Sequence, residues 1–333
     1  MPIVNNRFSV VISNYNDGRY LEDCLKSLLK EKAFAQIIVV DNNSTDDSVM
    51  IVKNLQRRSP RIKLIINRQN IGPSAARNRA LGLVKEKWLI FVDADTKLIE
   101  ADIRGLSTWL GEQDRLGAGV FKLLRWKGRI FDSAGEKISP FGFLAEMAQG
   151  AKDVGQFDDS PLIFSGKGAA MFARTDLFRR LGGFDKNFYM YWEEPDYFWR
   201  VLNIGFQNKF CPFLTFRHAF GSSGSKSSEQ SGQNTSFLGG RNQLWTLRKN
   251  SAGLLKLKLL SAATLAWLLI GVSFLIKGRP ERSISIIKAV LAGLFARVNG
   301  GVPSDKIDTR LIDQRGVGWY LGKFKNYILG KPY

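Results

Sequence analysis

Apolar and polar positions in the first hundred residues alternate between two periods. Short runs rich in Val and Ile lie at residues 8–13, 36–40, 63–66 and 88–92. Between them, residues 19–30, 46–57 and 73–84 carry apolar side chains at helical spacing. Near-continuous apolar strands separated by amphipathic helices predict βαβ units around a buried, mostly parallel sheet. Gly72 followed by Pro73 marks the start of the third helix, because proline suits a first helical position. Further strands are expected at 116–124, 168–173 and 209–216, with helices at 175–181 and 195–204. This half extends the same sheet and forms the far side of a cleft.

The stretch 221–236 is polar and without apolar period, which fits either a linker or a mobile loop beside a site. After Arg241 the composition changes. Residues 259–276 carry no charge, at the lower edge of what crosses a bilayer. Lys256 and Lys258 precede that run, and Lys277, Arg279 and Arg282 follow it. A second run at 284–298 is broken by Lys288 and Arg297 and is too short and too basic to cross. A single crossing would send the basic tail outward, against the positive-inside rule. An in-plane helix, a re-entrant segment or a hairpin avoids this and suits anionic headgroups. A helix buried in the protein is the other reading. The division expected is residues 1–240 as the α/β domain and 241–333 as a helical, basic, membrane-associated extension.

Charge narrows the classes. Forty-nine Lys and Arg against 30 Asp and Glu give +19, a surplus that suits nucleic acid, anionic lipid or phosphorylated substrates. Zinc-ligand spacing and base-stacking strand motifs are missing from the sequence, so no nucleic-acid partner is expected. A basic nucleic-acid-binding protein and an inactive membrane scaffold stay as alternatives. A sugar-nucleotide synthesising enzyme would carry a glycine-rich basic loop after the first strand, where this chain reads Ser13-Asn-Tyr-Asn-Asp-Gly-Arg19. The two cysteines, Cys24 and Cys211, give neither a disulfide framework nor a metal site. With a polar start at residues 1–7, no signal peptide is expected, and a reducing, cytoplasmic setting fits.

The chemistry-bearing residues sit at strand ends. Ligands of open parallel sheets bind beyond the carboxyl ends of the strands. Asp41 follows Ile-Ile-Val-Val, and Asp93 follows Trp-Leu-Ile-Phe-Val, so both project toward one rim. Asp95 comes two residues later and, in extended chain, faces the same side. Two such carboxylates hold a divalent cation that bridges to phosphate oxygens. The other reading of Asp-Ala-Asp is a turn. Asp41 suits a base N–H or a ribose hydroxyl, while residues 44–47 read as turn and cap positions.

Phe8-Ser-Val-Val-Ile-Ser-Asn-Tyr-Asn16, Val40-Asp-Asn-Asn-Ser-Thr-Asp46, Asn70-Ile-Gly-Pro-Ser-Ala-Ala-Arg-Asn78 and Phe91-Val-Asp-Ala-Asp95 resemble glycosyltransferase family 2. Gly168-Ala-Ala-Met-Phe172, Leu181-Gly-Gly-Phe-Asp185, Phe188-Tyr-Met-Tyr-Trp-Glu-Glu194 and Phe216-Arg-His218 resemble its rhamnosyltransferase-like branch. The resemblance implies a GT-A fold, a Rossmann-like α/β sheet flanked by helices, and an inverting transfer from a nucleotide-sugar donor. It implies Asp93, Asp95 and His218, the chain's one histidine, as ligands of Mg²⁺ or Mn²⁺. It places Asp41, Arg77 and Asp93 on the nucleotide sugar; Asn14, Lys167 and Trp192 are expected with them, although Ser165-Gly-Lys-Gly168 reads equally as a plain turn. The family's Glu-Asp-x-Asp is here Glu193-Glu194-Pro195-Asp196, with Glu194 as the base and Asp196 beside it in the catalytic set. Pro195 at a first helical position would leave Glu194 at the N-cap, where the helix dipole favours the ionised carboxylate. Glu193 reads as a helix-start charge, and the other reading of Asp196 is the same, pairing with Arg200 or capping amides. The branch suggests rhamnose from a dTDP or UDP donor. With a basic tail, the acceptor expected is a lipid-linked saccharide for cell-surface polysaccharide, at the cytoplasmic face of the membrane.

Overall fold

The computed structural model describes residues 6–219, 229–316, 318–320 and 322. The chain divides into two compact units, one of Met1–Glu136 with Glu146–Ser225, the other of Lys137–Ala145 with Lys226–Tyr333. The first unit opens β1 (Phe8–Asn14), α1 (Gly18–Leu29), β2 (Phe34–Asp41), α2 (Ser48–Arg58), β3 (Ile62–Ile66), α3 (Gly72–Arg79), β4 (Trp88–Asp93). These are the elements that the two hydrophobic periods predict. Then come β5 (Thr96–Ala101), α4 (Ile103–Gly111), β6 (Leu116–Arg125) and β7 (Phe131–Ser133). Next along the chain are the hairpin strands β8 (Glu136–Ile138) and β9 (Leu144–Glu146), which fall largely in the second unit; the first resumes with β10 (Ala170–Arg174), α5 (Thr175–Arg180), α6 (Glu193–Asn203) and β11 (Gln207–His218).

The main sheet runs β3-β2-β1-β4-β10-β6-β11-β5, with β7 on β6. β1 pairs in parallel with β2 and β4, whereas β10 enters antiparallel between β4 and β6. Both faces are covered, which is why the central strands read as continuous apolar runs. Val10, Ile12, Ile37, Val39, Ile90 and Val92 point to one core, shared with Leu21, Leu25 and Leu28 of α1. Val11, Ile38, Val40, Leu89 and Phe91 point to the other, with Ala76, Phe178, Tyr197 and Phe198. Cys24 and Cys211 are free thiols buried in the first core.

In the second unit, α7 (Glu229–Asn250), α8 (Gly253–Ile276) and α9 (Pro280–Phe295) form a helical array. Residues 220–228 of the polar stretch lie outside the described residues, and from Glu229 the chain is helical rather than loop. Gly293 of α9 lets Leu244 of α7 approach, since a Cβ there would sit 2.7 Å from Leu244 Cδ1. Arg248 Nη1 donates to the carbonyls of Gly293 and Ala296, both at 2.8 Å, satisfying the open end of α9. Ile270, Phe274 and Ile286 join α8 to α9 beside Trp267.

α8 has 24 residues and is long and apolar enough to cross a membrane, by length and composition alone. It is not the buried core helix of the alternative reading. Leu265, Leu269, Val272 and Ile276 are 59%, 49%, 52% and 81% exposed. On α9, Ile284, Ile287, Leu291 and Phe295 recur at helical spacing and are exposed too. So wide an apolar face is rare on a monomer in water.

Candidate active site

The parallel strands β1, β2 and β4 end side by side, with Asn14 paired to Asp41 and Ser13 to Asp93. The rim thus gathers three of the residues singled out in the sequence. Asp41 is buried, and its carboxylate accepts from Asn14 Nδ2 at 2.8 Å, Ser44 N at 2.9 Å and Ser44 Oγ at 2.7 Å. It braces the loop after β2. Asn14 Oδ1 is buried with no hydrogen-bond partner, leaving one acceptor at the rim.

Asp93 closes β4 and Asp95 stands in the two-residue turn before β5. Turn and acidic pair are therefore one feature, not rival readings, and the pair does not sit on extended chain. His218 ends β11 and pairs in register with Thr96 of β5, which carries the imidazole to the turn. One donor atom each from Asp93, Asp95 and His218 lies within 4.8 Å of the others. Two carboxylates and one imidazole at that spacing fit Mg²⁺ or Mn²⁺.

Two carboxylates hold the ring of His218. Nδ1 lies 2.9 Å from Asp132 Oδ2, and Nε2 lies 3.4 Å from Asp95 Oδ1. Burial pulls the imidazole pKa down, but the hydrogen bonds to Asp132 and Asp95 and the charges of Asp95 and Asp93 raise it to about 10. Asp17, after β1, is a neighbouring carboxyl that sequence reasoning passed over. Burial, then the charges of Asp95, Asp93 and Asp46, push it up to about 7. Asp132, in the short strand β7, was missed as well. Its local sequence, Arg129-Ile-Phe-Asp-Ser133, gives no sign of it.

Arg77 is buried between the two halves of the acidic set. Nη2 donates to Asp93 at 2.7 Å, Nη1 to Glu194 at 2.9 Å, and Glu193 lies 3.8 Å away. The guanidinium thus ties Asp93 to the expected base. Gly168 permits this, because a Cβ there would collide with Glu194 Oε1 and the Arg77 nitrogens. Burial, then the charge of Glu194, pushes the Glu193 carboxyl well above its usual range, against the pull of Arg77.

Helix α6 begins two residues earlier than the proline implies. Trp192 is the N-cap, Glu193 and Glu194 open the first turn, and Pro195 is third. Glu194 still lies at the positive end of the helix dipole. Before it, Tyr189, Tyr191 and Trp192 all have left-handed backbone, with φ of 65°, 68° and 70°. Ser74 holds this turn, its Oγ donating to Tyr189 O at 3.0 Å.

Two expected site residues stand elsewhere. Asp196 is wholly buried and accepts from Arg200 Nε at 2.9 Å, while Arg200 also donates to the carbonyls of Leu181 and Gly183. One turn further into α6 than Glu193, it faces the core and fixes a loop rather than joining a catalytic set. Lys167 donates to Asp132 Oδ1 at 3.0 Å and lies 3.4 Å from Glu146 Oε1, so its ammonium is engaged by carboxylates.

The order of strands, the acidic turn and the β11 histidine now stand together. Residues 9–122 match glycosyl transferase family 2. Over 110 residues the chain is 36% identical to the uncharacterized glycosyltransferase YibD of Escherichia coli, which covers 33% of this chain and 32% of that protein. Over 118 residues it is 33% identical to the GalNAc(5)-diNAcBac-PP-undecaprenol beta-1,3-glucosyltransferase of Campylobacter jejuni, covering 34% of this chain and 37% of that one. The matches span about a third of the length of these curated relatives. Among solved structures, GalNAc-T7 with UDP, GalNAc and Mn²⁺ superposes with a TM-score of 0.58 at 17% identity, over 74% of this chain and 48% of that chain. The glycosyltransferase-like unit has the mixed α/β GT-A fold, its curled central sheet flanked by helices.

Proposed function

We propose that the chain is an inverting glycosyltransferase, moving a sugar from a dTDP- or UDP-type donor to an acceptor hydroxyl. The convergence of Asp93, Asp95 and His218 at the sheet rim carries this reading. A divalent cation bound there would offset the charge that grows on the departing diphosphate. Asn14 Oδ1, a buried acceptor without a partner, supports the nucleotide side. Glu194 takes the proton from the acceptor hydroxyl, whose oxygen attacks the anomeric carbon opposite the diphosphate, and the configuration inverts. Arg77 holds Asp93 and Glu194 at fixed separation, so the metal-binding turn and the base are aimed by one side chain.

A solved neighbour binds UDP with Mn²⁺, and a relative is named for an acceptor on PP-undecaprenol. These support a nucleotide diphosphate donor and a lipid-linked saccharide acceptor. Rhamnose is the sugar that the second-half motifs favour. The exposed apolar face of α8 and α9, flanked by Lys256, Lys258, Lys277, Arg279 and Arg282, suits the surface of an anionic membrane, at its cytoplasmic side.

Calorimetric titration with UDP, dTDP and GDP, with and without Mn²⁺, tests the donor site. One nucleotide is expected to bind only with metal, and Asp95→Ala is expected to abolish that binding. Absence of binding by all three would remove the reading. For the membrane face, the combined change of Leu265, Leu269, Val272 and Ile276 to Gln is expected to abolish sedimentation with phosphatidylglycerol vesicles. Unchanged sedimentation would show that this face is not what holds the membrane.

A further inference from the structure

The structure assigns Asp132 as the positioning residue for His218: its carboxylate fixes the imidazole so that Nε2 is turned toward the acidic turn. The inference rests on the metal-dependent reading above and deepens it.

The geometry comes from both sides of the ring. Asp132 Oδ2 stands 2.9 Å from Nδ1, whereas Asp95 Oδ1 stands 3.4 Å from Nε2. The two nitrogens point to opposite sides of the imidazole, so Asp132 can accept the Nδ1 proton without competing for the ligand position. Once a cation held with Asp93 and Asp95 displaces the Nε2 proton, the proton kept on Nδ1 leaves the Nε2 lone pair to that cation. Asp132 is itself fixed. Lys167 Nζ donates to its Oδ1 at 3.0 Å and to its backbone carbonyl at 3.1 Å. The carboxylate is buried, and pairing on β6 fixes the strand that bears it. The series Lys167, Asp132, His218, Asp95 thus gives Lys167 a role three groups from the rim rather than on the diphosphate.

His218 is the sole histidine, so imidazole nitrogen resonances of ¹⁵N-histidine-labelled protein report it without assignment. The test compares wild type, Asp132→Asn, Asp132→Ala and Asp132→Glu. Mn²⁺ affinity is measured with whichever nucleotide the titration above retains, and the ring tautomer is read with Mg²⁺ in its place. Asp132→Asn keeps the shape of the side chain and guards against a variant that fails to fold. The result expected is a roughly 10- to 100-fold loss of Mn²⁺ affinity in the Asn and Ala variants. The single Nδ1–H form should give way to mixed or Nε2–H tautomers, and Asp132→Glu should recover part of both. A folded Asn or Ala variant that binds Mn²⁺ like wild type, or keeps the Nδ1–H form, overturns the assignment and leaves the donor reading standing. A wild type that binds Mn²⁺ with none of the nucleotides overturns both.

Discussion

Glu194→Gln is expected to lower kcat by about 10²- to 10⁴-fold, with donor affinity unchanged. Glutamine keeps the volume of the side chain and an oxygen for Arg77 Nη1, now 2.9 Å from Glu194 Oε1. The contact with Asp93 through Arg77 should therefore survive, and only basicity is removed. Gly168 leaves no spare room around this carboxyl, so the amide has to occupy the same place. Glu194→Asp tests reach, because the family pattern carries the shorter acid at this position. Turnover assays with nucleotide release and sugar transfer read separately would decide the matter. Wild-type kcat in the glutamine variant would rule out Glu194 as the base.

Arg77→Met is expected to destabilise the first unit by about 3–5 kcal/mol, the usual cost of breaking a buried ion pair from one side. The guanidinium is 3% exposed and faces Asp93, Glu194 and Glu193. Burial lowers its proton affinity, but these three carboxylates, Asp93 foremost, raise it further. Without it, the carboxylates crowd each other in a region shut off from water. Arg77→Lys should recover only part of the loss, since an ammonium lacks the planar fork. The deficit should narrow on acidification. Glu193, already pushed well above the usual carboxyl range by burial and by Glu194, takes up a proton first and relieves the repulsion. Hydrogen exchange in β1 and β4 reads this unit apart from the helical one. Undiminished protection in the methionine variant would mean that the network contributes no net stability.

The core strands were legible because burial on both faces makes them apolar without a break, as in β1, β2 and β4. β5 was not, because it is the last strand of the sheet, and half of Thr96-Lys-Leu-Ile-Glu-Ala101 faces outward. At the site, the acidic turn and His218 were visible as residue types at the ends of apolar runs. Their partners were not. Asp132 meets His218 across 86 positions, a contact set by β7 on β6 rather than by any local pattern. Arg77 read as a donor contact, since its neighbours Glu193 and Glu194 lie more than a hundred positions away. Asp196 misled for the opposite reason. Its spacing from Arg200 is helical, and the i to i+4 pair between them faces inward.

The pairing of His218 with Thr96 has a consequence for synthesis. The acidic turn of Asp93 and Asp95 leaves the ribosome early, but His218 is made only after most of the sheet. The segment matching the family, residues 9–122, holds Asp93 and Asp95 without their third partner. A nascent chain that holds β1 to β4 and the turn after β4 has two of the three residues of the proposed metal site. The proposed site can therefore close only once β11 has paired with β5 and β6.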